Sequence, residues 1–229
     1  MTLDHGDGVR RIVIDRPAKH GAFTTEMMAA GLQALEAAAA DDGVRVVVLE
    51  SVGRSFCAGA DLQSLAGEIP EGDPGSVLLR TLAHYDKPLV AAVQGAAIGM
   101  GATMLLHCDF VVATERASLS MPFVDLGLTP EGGSTVVLPD RIGYPRAAAL
   151  MLLTERMSAA DAVACGLWSQ IVPEVELADR ALDIAGRLAA KSPSVLQAAK
   201  RLMRGASFTE RFDHETAVFN QFRTAKTSS

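Results

Sequence analysis

The chain has 229 residues, 49% of them hydrophobic and 21% charged, and its 27 acidic against 21 basic side chains leave a formal net charge of −6. A chain of this length can bury about 70% of its unfolded surface as one α/β domain, and its composition lies far from that of disordered chains. The scattered Lys and Arg form no basic stripe for nucleic acid, and no apolar run reaches the ~20 residues needed to span a bilayer.

The opening residues hold Asp4, His5 and Asp7 without an apolar run, so no secretory leader is expected and the chain reads as cytoplasmic. Cys57, Cys108 and Cys165 are odd in number and far apart, the pattern of reduced thiols rather than of a disulfide frame or metal site. A strand is expected over 11–15, turning through Gly6-Asp7-Gly8 onto a short one near Leu3. Thr24 or Thr25 caps an alanine-rich helix reaching about Ala40, and Asp41-Asp42-Gly43 breaks it before a strand over 44–50. Further on, 76–85 reads as helix, 89–93 as a buried strand, 99–107 as a small-residue helix and 109–113 as a strand. Strand and helix alternate, so the fold class is α/β with largely parallel pairing. From Pro145 onward the pattern is helical: Pro145, Ser158-Ala-Ala-Asp161, Ser192-Pro193 and Ser207-Phe-Thr-Glu210 all read as helix starts.

Three segments could carry chemistry. Gly53-Arg-Ser-Phe-Cys-Ala-Gly-Ala-Asp-Leu62 follows a strand and enters a helix, a geometry that aims backbone N–H groups at an anion; the alternative is a tight turn without room for side chains. Val93-Gln-Gly-Ala-Ala-Ile-Gly-Met-Gly-Ala102 is a second such turn and lacks the third glycine of a dinucleotide fingerprint. In the third, Met121 to Thr135, Glu131 is either an ordinary first-turn acid after a Thr129 N-cap and Pro130, or a general base in an apolar setting.

In this order and spacing the three segments resemble the crotonase-like (enoyl-CoA hydratase/isomerase) superfamily over essentially the whole chain. The resemblance implies a fold of repeated β-β-α units with a C-terminal helical layer, here a core over 1–190 and a helical trimerisation segment over 191–229. It puts oxyanion-hole donors on the N–H groups of Ala60 and Met100, and a substrate-binding wall on Ala58, Gly59, Asp61, Leu62, Gly99 and Phe123. Asp15-Arg-Pro-Ala-Lys-His-Gly-Ala22 is similar to the segment that helps to hold the nucleotide of coenzyme A, with Lys19 as candidate phosphate partner and Gly21 where the family usually has Asn. Asp61 also reads as a structural acceptor of backbone hydrogen bonds. The resemblance further implies an acyl-CoA thioester as substrate, no separate cofactor or metal, no nucleic-acid or membrane partner, and a homotrimer or hexamer.

Scaffold does not decide reaction. The positions that match the two glutamates of the family's hydratases are Thr103 and Phe123, neither of which titrates at neutral pH. The stretch around Glu131 instead resembles the peroxisomal-type Δ3,Δ2-enoyl-CoA isomerases, whose single catalytic glutamate stands at that position. One carboxylate suffices to take a proton from carbon 2 and return it to carbon 4. The rival readings are a ring-substrate acyl-CoA isomerase, a hydratase or lyase working through Glu131 alone, and a non-catalytic acyl-CoA binding module.

Overall fold

Val46, Val47, Val48 and Leu49 are buried on both faces of their strand, the mark of a central strand in a covered parallel sheet. The computed structural model describes residues 2–61, 72–205 and 207–227. In it, β1 (Thr2–Gly6) and β2 (Val9–Ile14) form an antiparallel hairpin, α1 (Thr25–Ala40) follows, and β3 (Val46–Ser51) pairs in parallel with β2. Thr24 is the N-cap of α1, its hydroxyl accepting from Met27 N–H at 3.3 Å. After α2 (Pro74–Ala83) come β4 (Leu89–Val93), β5 (Ala96–Ile98), α3 (Met100–Leu105), β6 (Phe110–Ala113) and β7 (Ser118–Ser120). The rest comprises α4 (Ser134–Ile142), α5 (Tyr144–Leu152), β8 (Met157–Ser158), α6 (Ala159–Ala164), β9 (Gln170–Ile171), α7 (Leu177–Ala189), α8 (Pro193–Arg204) and α9 (Phe208–Thr227).

The main sheet runs β1-β2-β3-β4-β6-β9, parallel beyond the first hairpin. Because side chains alternate along a strand, Val46 and Val48 point to one face, where Leu177, Ala181, Ile184 and Ala185 of α7 cover them. Val47 and Leu49 point to the other, into the main core with Leu35, Phe56, Leu82 and Leu138. Each of these large side chains contributes roughly 1.5–3 kcal/mol by leaving water.

A second sheet, β5-β7-β8, is the main departure from the sequence expectation. Its strands have only 3, 3 and 2 residues, too few to display a period of two. For the same reason β8 and β9 interrupt a region that reads as all helix after Pro145. Helix α9 buries Phe212 and Phe219 in the main core. Among the described residues no helix is long and apolar enough to cross a membrane.

Candidate active site

The two small-residue turns are stitched together by their backbones. Phe56 and Cys57 N–H both donate to Ala96 O at 3.0 and 3.1 Å, and Ile98 N–H donates to Cys57 O at 2.8 Å. The first turn is tied on its other side to Phe23, whose N–H donates to Gly59 O at 2.8 Å and whose carbonyl accepts from Asp61 N–H at 2.7 Å. Since alternate N–H groups of an extended segment point to opposite sides, the N–H of Ala60 faces away from Phe23. Met100 is the first residue of α3, so its N–H is one of the orphan donors of a helix start. Among the described residues neither N–H is spent on an internal acceptor.

Glu131 stands outside α4. The first-turn position after a Thr129 cap, one of the two expectations, does not occur: the helix begins at Ser134 with Gly133 as its N-cap, and the hydroxyl of Thr129 is buried without a partner. The cause is the pair Gly132 and Gly133, at φ +66 and +75. A Cβ on Gly132 would lie 2.9 Å from Thr103 Cβ, and one on Gly133 2.7 Å from the Phe212 ring, so glycine alone fits the turn. The turn carries Glu131 into a cavity of about 280 Å³, lined also by Ala58, Gly59, Ala60, Gly99, Met100 and Phe123.

The cavity wall is mainly apolar, with Met28, Ile98, Pro122, Leu126, Leu128 and Phe219 beside these residues. Burial pushes the Glu131 carboxyl up to about 8, helped by the negative charges of Glu215 and Asp73 and opposed by Arg223. Asp73, a second carboxylate in the wall, is engaged: as N-cap of α2 it accepts from Ser76 N–H and Ser76 Oγ, both at 3.0 Å, and meets Arg223 at 3.3 Å. Among the described residues nothing donates a hydrogen bond to the Glu131 carboxylate. Thr103, fully buried, donates its hydroxyl to Met100 O at 3.1 Å. Burial raises the thiols of Cys57 and Cys108 to about 12, which leaves no thiolate to act as nucleophile.

Of the residues singled out in the sequence, Ala58, Gly59, Ala60, Gly99, Met100, Phe123 and Glu131 converge on one cavity. Lys19 lies on an exposed 3-10 turn, and Asp61 pairs with Arg16 at 2.8 Å; neither is part of the cavity wall. Leu62 lies outside the described residues. Sequence reasoning passed over Asp73, Glu215, Phe219 and Arg223. The last three have a signal, being buried at four-residue intervals in a helix where two charged residues interrupt an otherwise aromatic stripe.

The family model for enoyl-CoA hydratase/isomerase matches residues 4–228. Among curated relatives, a 2,3-dehydroadipyl-CoA hydratase of Escherichia coli is 36% identical over 84% of this chain and 77% of its own. A 1,2-epoxyphenylacetyl-CoA isomerase of the same bacterium is 36% identical over 87% of this chain and 79% of its own. The crystal structure of an enoyl-CoA hydratase/isomerase from Pseudoalteromonas atlantica superposes with a TM-score of 0.89 at 34% identity, covering 94% of this chain and 88% of the other. The relatives share the crotonase fold and acyl-CoA chemistry while differing in reaction, and with them this chain belongs to the enoyl-CoA hydratase/isomerase family.

Proposed function

We propose that the enzyme shifts the double bond of an enoyl-CoA from carbon 3 to carbon 2, with Glu131 as the one group that moves the proton. The observation that carries this reading is the state of the two cavity carboxylates. Asp73 is held by Ser76 and Arg223, whereas no described residue donates a hydrogen bond to the Glu131 carboxylate, which leaves it able to swing between two carbons. Glu131 takes the proton from carbon 2 and returns it to carbon 4 on the same face. The dienolate formed between these steps carries its charge on the thioester oxygen, where the Ala60 and Met100 N–H groups stabilise it by about 3–4 kcal/mol each. The resemblance puts Thr103 and Phe123 where the family's hydratases carry their two glutamates, and Phe123 lines the cavity wall, which supports isomerisation over a two-carboxylate hydration. The apolar surroundings keep competing water away from the dienolate.

A second reading, isomerisation of a ring-bearing acyl-CoA, is favoured by the 36% identity to the 1,2-epoxyphenylacetyl-CoA isomerase and by the Phe123, Leu126 and Phe219 wall. The self-association expected of residues 191–229 would fall to α8, which exposes Val195, Leu202 and Met203.

The test is conversion of a 3-enoyl-CoA to its 2-enoyl isomer by wild type and Glu131→Gln, with crotonyl-CoA hydration and a ring-bearing epoxyacyl-CoA run beside it. Isomerisation that falls about 10²–10⁴-fold in the variant while binding persists supports the reading. Hydration by wild type, or an indifferent variant, removes it; turnover of the ring substrate alone selects the second reading.

A further inference from the structure

Helix α9 bears Glu215, Phe219 and Arg223 at intervals of four residues, and all three side chains are buried along one face. Phe219 and Arg223 line the cavity. Glu215 reaches the turn that carries Glu131. Helix α4 has no capping side chain of its own, since its N-cap is Gly133, and its first N–H groups would otherwise be orphans. Glu215 supplies the cap: one carboxylate oxygen accepts from Gly133 N–H, the other from Thr135 N–H at 2.7 Å and from the Thr135 hydroxyl. On the far side of the same peptide unit, His107 Nε2–H donates to Gly132 O at 2.7 Å. The Gly132–Gly133 peptide is therefore held at its carbonyl by His107 and at its N–H by Glu215.

We propose that Glu215 is a positioning residue for the proton transfer, gripping the Gly132–Gly133 peptide so that the neighbouring Glu131 carboxylate stands toward the oxyanion-hole turns. The two glycines lack side chains that would restrain the turn from within, so its orientation depends on what holds its peptide groups. An ordinary helix cap could be satisfied by water; here the cap is a buried carboxylate with its oxygens committed to the turn beside the base. Burial raises the Glu215 carboxyl, while its hydrogen bonds with Thr135, Gly133 and Ser134 favour the charged form. Glu131 is faced by Glu215 and Arg223 from α9 and by Asp73 from the start of α2, so removing the Glu215 charge leaves one anion fewer beside the base.

This inference rests on Glu131 being the base, and the experiment keeps the two apart. Wild type, Glu131→Gln, Glu215→Gln and Glu215→Asp are compared in isomerisation of a 3-enoyl-CoA across the pH range where Glu131 titrates, with kcat, KM and melting temperature recorded. The infrared band of the protonated Glu131 carboxyl, identified by its loss in Glu131→Gln, is titrated without substrate. In Glu215→Gln, kcat is expected to fall about tenfold or more, KM to change little, and both the acidic limb of the rate and the infrared titration to move to lower pH. Glu215→Asp keeps the charge but is one methylene short, so it should lower kcat and leave the limb in place. A lowered melting temperature with unchanged kcat and unchanged titration would make Glu215 a structural cap and overturn the proposal. Should Glu215→Gln fail to fold, an unchanged kcat in Glu215→Asp overturns it alone. Activity that survives in Glu131→Gln strikes the base assignment instead.

Discussion

His107 donates from Nε2 to the carbonyl of Gly132 at 2.7 Å, joining the segment after α3 to the turn that carries Glu131. Burial, reinforced by the charges of Arg141, Lys200 and Arg204, lowers the ring to about 3, so it stays neutral and keeps this donor. In the unfolded chain a histidine titrates near 6.5. Between those values the unfolded chain binds a proton that the folded chain refuses, so this group's contribution is complete above pH ~6.5 and is lost as the pH falls toward 3.

His107→Gln retains a donor for Gly132 and removes the titration. Its unfolding free energy should therefore decline less steeply below pH ~6.5, by about 1.4 kcal/mol per pH unit at most. Urea unfolding of the two proteins at a series of pH values reads the difference, and parallel curves contradict it.

Glu131 has the opposite sign. Its folded value of about 8 lies above the ~4.3 of an unfolded glutamate, so the stability it contributes is present at low pH and lost as the pH rises through 8. Glu131→Gln should melt close to wild type near pH 5 and above it near pH 9. Each kcal/mol of difference corresponds to about 2–4 °C for a chain of this size. Equal melting temperatures at both values would show that the carboxylate is not desolvated.

The same raised value shapes the rate. In the proposed reaction Glu131 must be ionised to accept the carbon 2 proton, so kcat/KM of the free enzyme should rise about tenfold per pH unit and level off near pH 8. A limb near the ordinary glutamate value of ~4.3 would place the reacting carboxylate elsewhere.

Gly59 holds the turn of Ala60, the proposed first oxyanion donor, at φ +93, where an added Cβ would come 2.9 Å from Ile98 O. Gly59→Ala must push the turn away from β5 and carry the Ala60 N–H with it. Its kcat should drop about 10²-fold, the effect of losing one such donor, while the affinity for a non-reacting acyl-CoA, measured by calorimetry, changes much less. A normal kcat would place the oxyanion donor on another group.

Local patterns brought out much of the site. The small residues around Ala60 and Met100 mark close backbone approach and Glu131 is conspicuous as an acid among apolar residues, but a tight turn and a helix cap fit those patterns as well, and the roles of all three came from the family resemblance. The second sheet was hidden by the brevity of its strands, and the start of α4 by a Thr-Pro-Glu run that imitates a helix cap until the glycines after it meet Thr103 and Phe212.

Composition, alternation and runs of small residues by themselves determined an α/β chain with two tight small-residue turns and one conspicuous acid, because each of these is a property of neighbouring residues. Only the tertiary structure decided that Asp73 is paired with Arg223 while no described residue donates a hydrogen bond to the Glu131 carboxylate, and that Glu215, 84 positions after Glu131, caps the turn beside it. Burial and charge coupling depend on distance in space, and α9 reaches the site by packing Phe212 and Phe219 into the core rather than by nearness in the chain.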